Sequence, residues 1–280
     1  MTELRRRMIE DMQLHGLAES TQQSYLRAVR GLVKYYRRPP DQITEAEIRQ
    51  FFVYLTQTRR LDSSTVAVYL HAIKFFYQKT LARAWPLFEL LRVKRSKKLP
   101  AVLSRQEVRE LLSRVRSPAA RMSLTLMYGC GLRVSEALRL RPTDIDSPRM
   151  VVCVRNGKGR KDRYVPLSAH TLQRLRAYWR GNHPGNWLFA SRQGGGPISP
   201  PSVRACLRAA LAETKIRKKV SCHTLRHSYA THLLEQGVNV RAIQGLLGHK
   251  SIRTTCRYLH LTATGLRAVR ESVDELTAGL

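Results

Sequence analysis

The stretch Met150-Val-Val-Cys-Val-Arg-Asn-Gly-Lys-Gly-Arg-Lys-Asp-Arg-Tyr-Val-Pro-Leu167 decides the fold. Apolar and polar residues alternate on both sides of Asn156-Gly157, a dipeptide suited to a tight turn, so the segment predicts an antiparallel β-hairpin. The sequence on either side reads mostly at a helical period. Upstream, Ser104-Arg-Gln-Glu107 is a capping box that opens a helix. A second helix is expected from about Pro118 to Tyr128, where Gly129 and Gly131 break it, and a short third one around residues 133–138. Downstream, Trp187-Leu188-Phe189 is expected to add a third strand before the loop Gly194-Gly195-Gly196-Pro197, and helices return from about Pro201 onward.

Working outward to the first hundred residues, only helices are expected. Ser20-Thr21-Gln22-Gln23 resembles a capping box ahead of Tyr25, Leu26, Val29, Leu32, Val33 and Tyr36 at helical spacing. Pro39-Pro40 stops that segment. Thr44-Glu45-Ala46-Glu47 is a second box, leading into Ile48, Phe51, Phe52 and Leu55, and Ser63 or Ser64 is expected to cap a helix carrying Val66, Leu70, Ile73 and Phe76. The basic run from Arg92 through Lys97 and Lys98 to Pro100 has no apolar period and reads as a linker lying along a phosphate backbone. The expected organisation is thus a helical bundle over 1–91, a linker over 92–100, and a second domain over 101–280. That domain is mixed α/β in a mainly α chain, with a small antiparallel β-sheet, and ends in a short amphipathic helix over 264–280.

The 280 residues hold 50 Lys+Arg against 20 Asp+Glu, a formal charge of +30. The surplus is spread over the chain, +10 in residues 1–98 and +20 in residues 99–280. Such a field repels itself unless a polyanion neutralises it, and nucleic acid does so with release of counterions. Charge alone leaves a solvated basic surface of the ribosomal or chromatin kind equally open. A hydrophobic fraction of 43% excludes a disordered basic tail. No apolar run approaches the ~18 residues of a membrane span, and the first residues lack the apolar core of a signal peptide. Five widely spaced cysteines without a C-x-x-C pair argue against a disulfide framework or a four-cysteine zinc site. A cytoplasmic, nucleoid-associated bacterial protein is the expectation.

Four segments of the second domain carry chemistry-bearing residues. Gly131-Leu-Arg133-Val-Ser-Glu136 begins a helix, Gly157-Lys158-Gly159-Arg160-Lys161-Asp-Arg163 forms the hairpin tip, His223-Thr-Leu-Arg226-His227 lies on a helix, and Leu247-Gly248-His249 precedes Arg257-Tyr258. His223 and Arg226 share one helix face and can meet one anion, or can be surface ion-pair partners. Lys158 is a candidate cation or a solvated turn residue. Arg133, among apolar residues, needs an anion, and Glu136 can be that structural partner. Tyr258 can equally be a core aromatic. His223, His227 and His232 raise the question of zinc, but no third ligand completes a site near the His223–His227 pair, and His227 reads as a helix-face residue touching DNA or core. No metal and no cofactor are expected.

In this order the segments resemble the tyrosine recombinase, or phage integrase, family. The matching residues are Arg133, Lys158, His223, Arg226, His249 and Tyr258, set in GLRVSEALRL, GKGRKDRYVPL, HTLRHSYATHLLEQG and IQGLLGHKSIRTTCRYLHL. The N-terminal bundle over 1–91 is similar to the family's core-binding, SAM-like domain, which implies that it binds DNA. The likeness is closer to compact Xer-like, transposon-borne or integron-like integrases than to lambda integrase, although the segment before His223 is too short for the additional helix of integron enzymes. The resemblance implies a DNA strand transferase that needs neither metal nor ATP. Arg133, Arg226 and His249 would hold the scissile phosphate and Tyr258 would attack it. His223 would transfer the tyrosine proton, Lys158 (with Lys161 as second choice) would protonate the leaving oxygen, and Glu136 would orient the cluster. Lys97, Lys98, Arg160 and Lys161 would contact DNA. It also implies a homo-oligomer, dimer to tetramer on a specific duplex site, with the tail helix docked on a neighbouring protomer. A catalytically silent accessory protein and a type IB topoisomerase-like relaxing enzyme are the alternatives.

Overall fold

Thr44 and Ser104 both begin helices by the same local chemistry. Each hydroxyl accepts the backbone N–H three residues on, and the glutamate there reaches back to the cap's own N–H, which satisfies two donors that a helix start leaves unpaired. The structure, a computed structural model, describes residues 2–91, 100–155, 162–183, 185–191, 194–249, 251–256 and 258. It divides into two units, Met1–Lys98 and Leu99–Leu280.

The first unit contains α1 (Glu3–Leu14), α2 (Glu19–Tyr36), α3 (Glu45–Val53), α4 (Ser63–Phe75) and α5 (Leu87–Leu90). α3 and α4 each run on into a π-helical turn, Tyr54–Thr58 and Phe76–Thr80. Met8, Met12, Leu32, Ile48, Phe51, Ile73, Phe76 and Tyr77 meet in its core. Two expected caps are corrected. α2 starts at Glu19 behind Ala18, so Ser20 is already inside the first turn. α4 is capped by Asp62 instead of Ser63 or Ser64, because the Asp62 carboxylate accepts the Ser64 N–H at 2.8 Å.

The second unit runs α6 (Arg105–Arg114), α7 (Pro118–Gly129), α8 (Val134–Leu138), β1 (Ile145–Asp146), β2 (Val151–Val154), β3 (Arg163–Pro166), α9 (Ala169–Asn182), α10 (Pro200–Ala212), α11 (Cys222–Glu235), α12 (Val240–Leu247) and α13 (Ile252–Thr255). The strands form one antiparallel sheet in the order β1-β2-β3, with Val152 opposite Val165 and Cys153 opposite Tyr164. Alternation buries Val152, Val154 and Val165 against Leu124, Leu126, Leu138 and Leu225. The third strand is Ile145–Asp146 and not the expected 187–189. Leu188 and Phe189 are both buried, which the two-faced alternation of a half-solvated strand does not allow. Their backbone bonds instead go to Leu140 and Ile198, and only Ala190 makes a single bridge, to Pro197.

The result is a mainly helical chain whose second unit carries a small three-stranded antiparallel sheet. Lys97, Lys98, Lys158, Arg160, Lys161, most of the expected linker and the helix expected over 264–280 lie outside the described residues.

Candidate active site

Three elements bring charged side chains to one place. Arg133 is the residue before α8, and its N–H donates to Glu136 Oε2 at 2.8 Å while its Nη1 donates to Glu136 Oε1 at 2.6 Å. Gly131 lets the chain reach that cap. Its φ is +61°, and a Cβ there would stand 2.5 Å from the Tyr229 ring and 2.9 Å from Leu247. β3 supplies Arg163, which grips the same carboxylate with both Nη atoms at 3.0 and 2.8 Å. From α11, Arg226 approaches Glu136 at 3.7 Å. Burial would raise the carboxyl pKa of Glu136, but hydrogen bonds from Arg163 and Arg133 outweigh it and hold the pKa down at about 2.

The same three arginines share a second anchor. α12 ends at Gly248 in the left-handed conformation, leaving its last carbonyls without helical partners. Leu246 O accepts from Arg163 Nε at 2.9 Å, Leu247 O from Arg226 Nη2 at 2.5 Å, and Gly248 O from Arg133 Nη2 at 3.0 Å. Arg226 also donates to Gly131 O at 2.7 Å. The negative end of a helix dipole thus holds three cations. Among the described residues one carboxylate faces three guanidiniums, which leaves a local excess of positive charge. Burial and the nearness of Arg133 pull the Arg226 pKa down to about 10, which still leaves it charged at neutral pH.

Histidines and a phenol border this cluster. His249 follows Gly248, its Nδ1 lies 2.9 Å from the buried Thr255 hydroxyl, and its backbone carbonyl accepts from Gln244 at 3.1 Å. Burial, then Arg226, Arg133, His227 and Arg163, push its pKa down to about 4, so it is a neutral imidazole at pH 7. His223, in the first turn of α11, faces solvent. Partial loss of hydration, followed by the charges of Arg226, Arg133 and Arg204, lowers its pKa as well. Tyr258 is only 2% exposed, and its hydroxyl lies 2.8 Å from His227 Nδ1. Its ring stacks on His249 at 6.4 Å between centroids. Tyr258 is also close enough to raise the Arg226 pKa. A hollow of about 950 Å³ lined by Leu112, Met122, Tyr128 and Tyr178 lies elsewhere, between α6, α7 and α9. Among the described residues no group of three or more His, Cys, Asp or Glu is arranged to hold a metal ion.

Residues 101–264 match the model of the phage integrase family, and residues 4–87 match its N-terminal SAM-like domain. The chain belongs to the phage integrase family. Among its relatives in that family is a putative integrase/recombinase of Sinorhizobium fredii, y4qK, 44% identical over 277 residues that span 99% of this chain and 90% of the relative. The crystal structure of XerA recombinase is 27% identical over 97% of this chain and 98% of its own, with a TM-score of 0.56. The Tn1549 transposon integrase, solved with circular intermediate DNA, shares the fold at a TM-score of 0.70 and 18% identity, over 96% of this chain and 99% of that one.

Within this phage integrase fold, Arg133, Glu136, Arg226, His249 and Tyr258 come together around the end of α12, and His223 lies on the solvent-facing side of α11. Two members of the cluster were not singled out in the sequence. Arg163 read as part of the hairpin tip, although strand alternation puts it on the same face as buried Val165, with exposed Tyr164 between them. His227 read as a residue of the helix face, and nothing in its local sequence marks it as the partner of a phenol 31 positions later.

Proposed function

We propose that this chain is a site-specific DNA recombinase or integrase that cuts and rejoins duplex DNA through a 3′-phosphotyrosyl intermediate. The observation that carries this reading is the excess of buried positive charge beside a phenol. Arg133, Arg163 and Arg226 face the single carboxylate of Glu136, with Tyr258 packed against His249 at their edge. Unpaired buried charge is costly, and a phosphodiester monoanion would offset it. The DNA-bound Tn1549 integrase makes duplex DNA the natural source of that phosphate.

Phosphoryl transfer asks for positioning and for stabilisation of charge on the non-bridging oxygens. Arg133 and Arg226 serve these oxygens as planar donor forks, and neutral His249 adds a neutral donor. Each preorganised donor of this kind is worth about 2.7–4 kcal/mol in the transition state. Tyr258 attacks phosphorus, the 3′-phosphate becomes attached to the phenol, and the 5′-oxygen leaves with a proton from Lys158. The phosphotyrosyl bond retains the energy of the diester, so a 5′-hydroxyl can reverse the step without ATP, and the chemistry requires no metal. Lys97, Lys98, Arg160 and Lys161 contact the backbone, and protomers assemble as dimers to tetramers on paired sites, acting on DNA in the cytoplasm.

The test uses nicked duplexes that trap the covalent product. The wild-type chain is expected to form a denaturant-resistant protein–DNA adduct, and Tyr258→Phe none, while binding stays within about tenfold, since phosphate contacts set most of the affinity. An adduct formed by the Phe variant would overturn the assignment. Relaxation of supercoiled plasmid by a lone protomer would favour a topoisomerase-like activity instead.

A further inference from the structure

The Tyr258 hydroxyl lies within hydrogen-bond distance of His227 Nδ1, at 2.8 Å. A base for a phenol has to stand within about 2.6–3.2 Å of the oxygen it deprotonates, and this one does. The rings lie 5.6 Å apart between centroids, and Tyr258 is 2% exposed, so at neutral pH water is a poorer acceptor of its proton than the adjacent imidazole. His223 is one helical turn earlier, its ring 6.4 Å from that of His227, on the side that faces solvent and the arginines. The family pattern points at His223 for the proton, and the geometry points at His227.

We infer that His227 is a catalytic residue of this chain: its Nδ1 takes the proton from the Tyr258 hydroxyl as that oxygen attacks the scissile phosphorus. This deepens the reading of Tyr258 as the nucleophile and rests on it. In the step the Tyr258 O–H bond breaks and an N–H bond forms at His227. The phenolic oxygen bonds to phosphorus, the bond from phosphorus to the 5′-oxygen breaks, and that oxygen takes its proton from the general acid. In rejoining, His227 returns the proton to the departing phenolate. His223 is then left to donate to a phosphate oxygen, beside Arg226, Arg133 and Arg204, whose charges already favour its neutral form. Among the described residues, His227 meets Tyr258 from the segment after α13, lies one turn from His223 on its own helix, and stands close enough to His249 at the end of α12 for its charge to lower that pKa.

The experiment measures single-turnover adduct formation on the trapping duplex for the wild-type chain, His227→Ala, His227→Asn and Tyr258→Phe, between pH 7 and about 9.5, just below the ordinary phenol pKa of about 10. Asparagine keeps a polar atom near the position of Nδ1 but accepts no proton. Both His227 variants are expected to lose at least about a hundredfold in rate at pH 7, the lower end of a general-base contribution. For His227→Asn the deficit narrows as pH rises, because hydroxide then generates the phenolate. The ratio of its rates at high and low pH does not depend on the folded fraction, so a partly misfolded preparation still gives an answer. A His227→Asn rate within threefold of wild type, or a deficit unchanged across the pH range, would overturn the inference while leaving Tyr258 in place. An adduct with Tyr258→Phe would instead remove the reading on which it rests.

Discussion

Glu136 is the most informative residue to perturb, because one carboxylate, with only 6% of its side chain exposed, answers two guanidiniums at hydrogen-bond distance and a third at 3.7 Å. Glu136→Gln removes the charge and keeps the shape. Breaking a buried pair from one side costs about 3–5 kcal/mol, since the cations stay buried without their anion. The pH linkage gives the same size: holding a carboxyl at about 2 in place of 4.5 corresponds to about 3 kcal/mol of stability at neutral pH. The pKa is depressed in the folded chain, so this contribution is present above about pH 4.5 and is lost as pH falls toward 2. For a unit of this size 3 kcal/mol amounts to about 6–12 °C in melting temperature. Calorimetry of the wild-type and Glu136→Gln chains at pH 7, 4.5 and 3 would show the second unit of the variant melting lower by that amount at pH 7. The gap should shrink in the acid series, as the wild-type carboxyl takes up its proton. A difference below about 0.5 kcal/mol at pH 7, the range of an ordinary surface substitution, would refute the claim that Glu136 is the counter-ion of the arginine cluster.

Three further outcomes are expected. Gly131→Ala places a methyl 2.5 Å from the Tyr229 ring at a φ of +61°, and strain plus overpacking should cost about 2–5 kcal/mol in urea unfolding; an unchanged midpoint would contradict the close approach. Thr255→Val leaves His249 Nδ1 without its hydroxyl partner, which should cost about 1–3 kcal/mol and slow adduct formation, with Thr255→Ser recovering both. DNA affinity should fall steeply with salt, with a log–log slope near −0.9 for each phosphate neutralised, and a slope near zero would remove the electrostatic basis for binding.

Much of the fold is legible because it depends on local chemistry. The boxes at Thr44 and Ser104 state their helices within four residues, and the alternation around residues 151–154 and 163–166 states the hairpin. Where the reading failed, the deciding contact was either one residue away or far along the chain. Asp62 displaced Ser63 and Ser64 as cap because its carboxylate accepts the Ser64 N–H, which starts the helix one residue earlier. β1 has only two residues, too few for any period, and it exists because Val151 and Val152 pair with it. The site follows the same division. Arg133, His223, Arg226, His249 and Tyr258 carry a family pattern that can be read in order. The clamp of Arg163 on Glu136 joins residues 27 positions apart, and the bond of His227 to Tyr258 joins residues 31 apart. The seating of three arginines on Leu246, Leu247 and Gly248 uses backbone carbonyls, which leave no trace in side-chain identity.

The atom of the protein that becomes bonded to DNA decides between a phosphotyrosyl mechanism and any other. The direct measurement traps the chain on a library of nicked duplex fragments, digests the complex with trypsin, and locates the nucleotide by mass spectrometry. The peptide spanning 258–267 should carry a 3′-linked nucleotide on Tyr258, because trypsin cuts after Arg257 and Arg267. A nucleotide on any other peptide, or DNA cut with no protein attached, would contradict it.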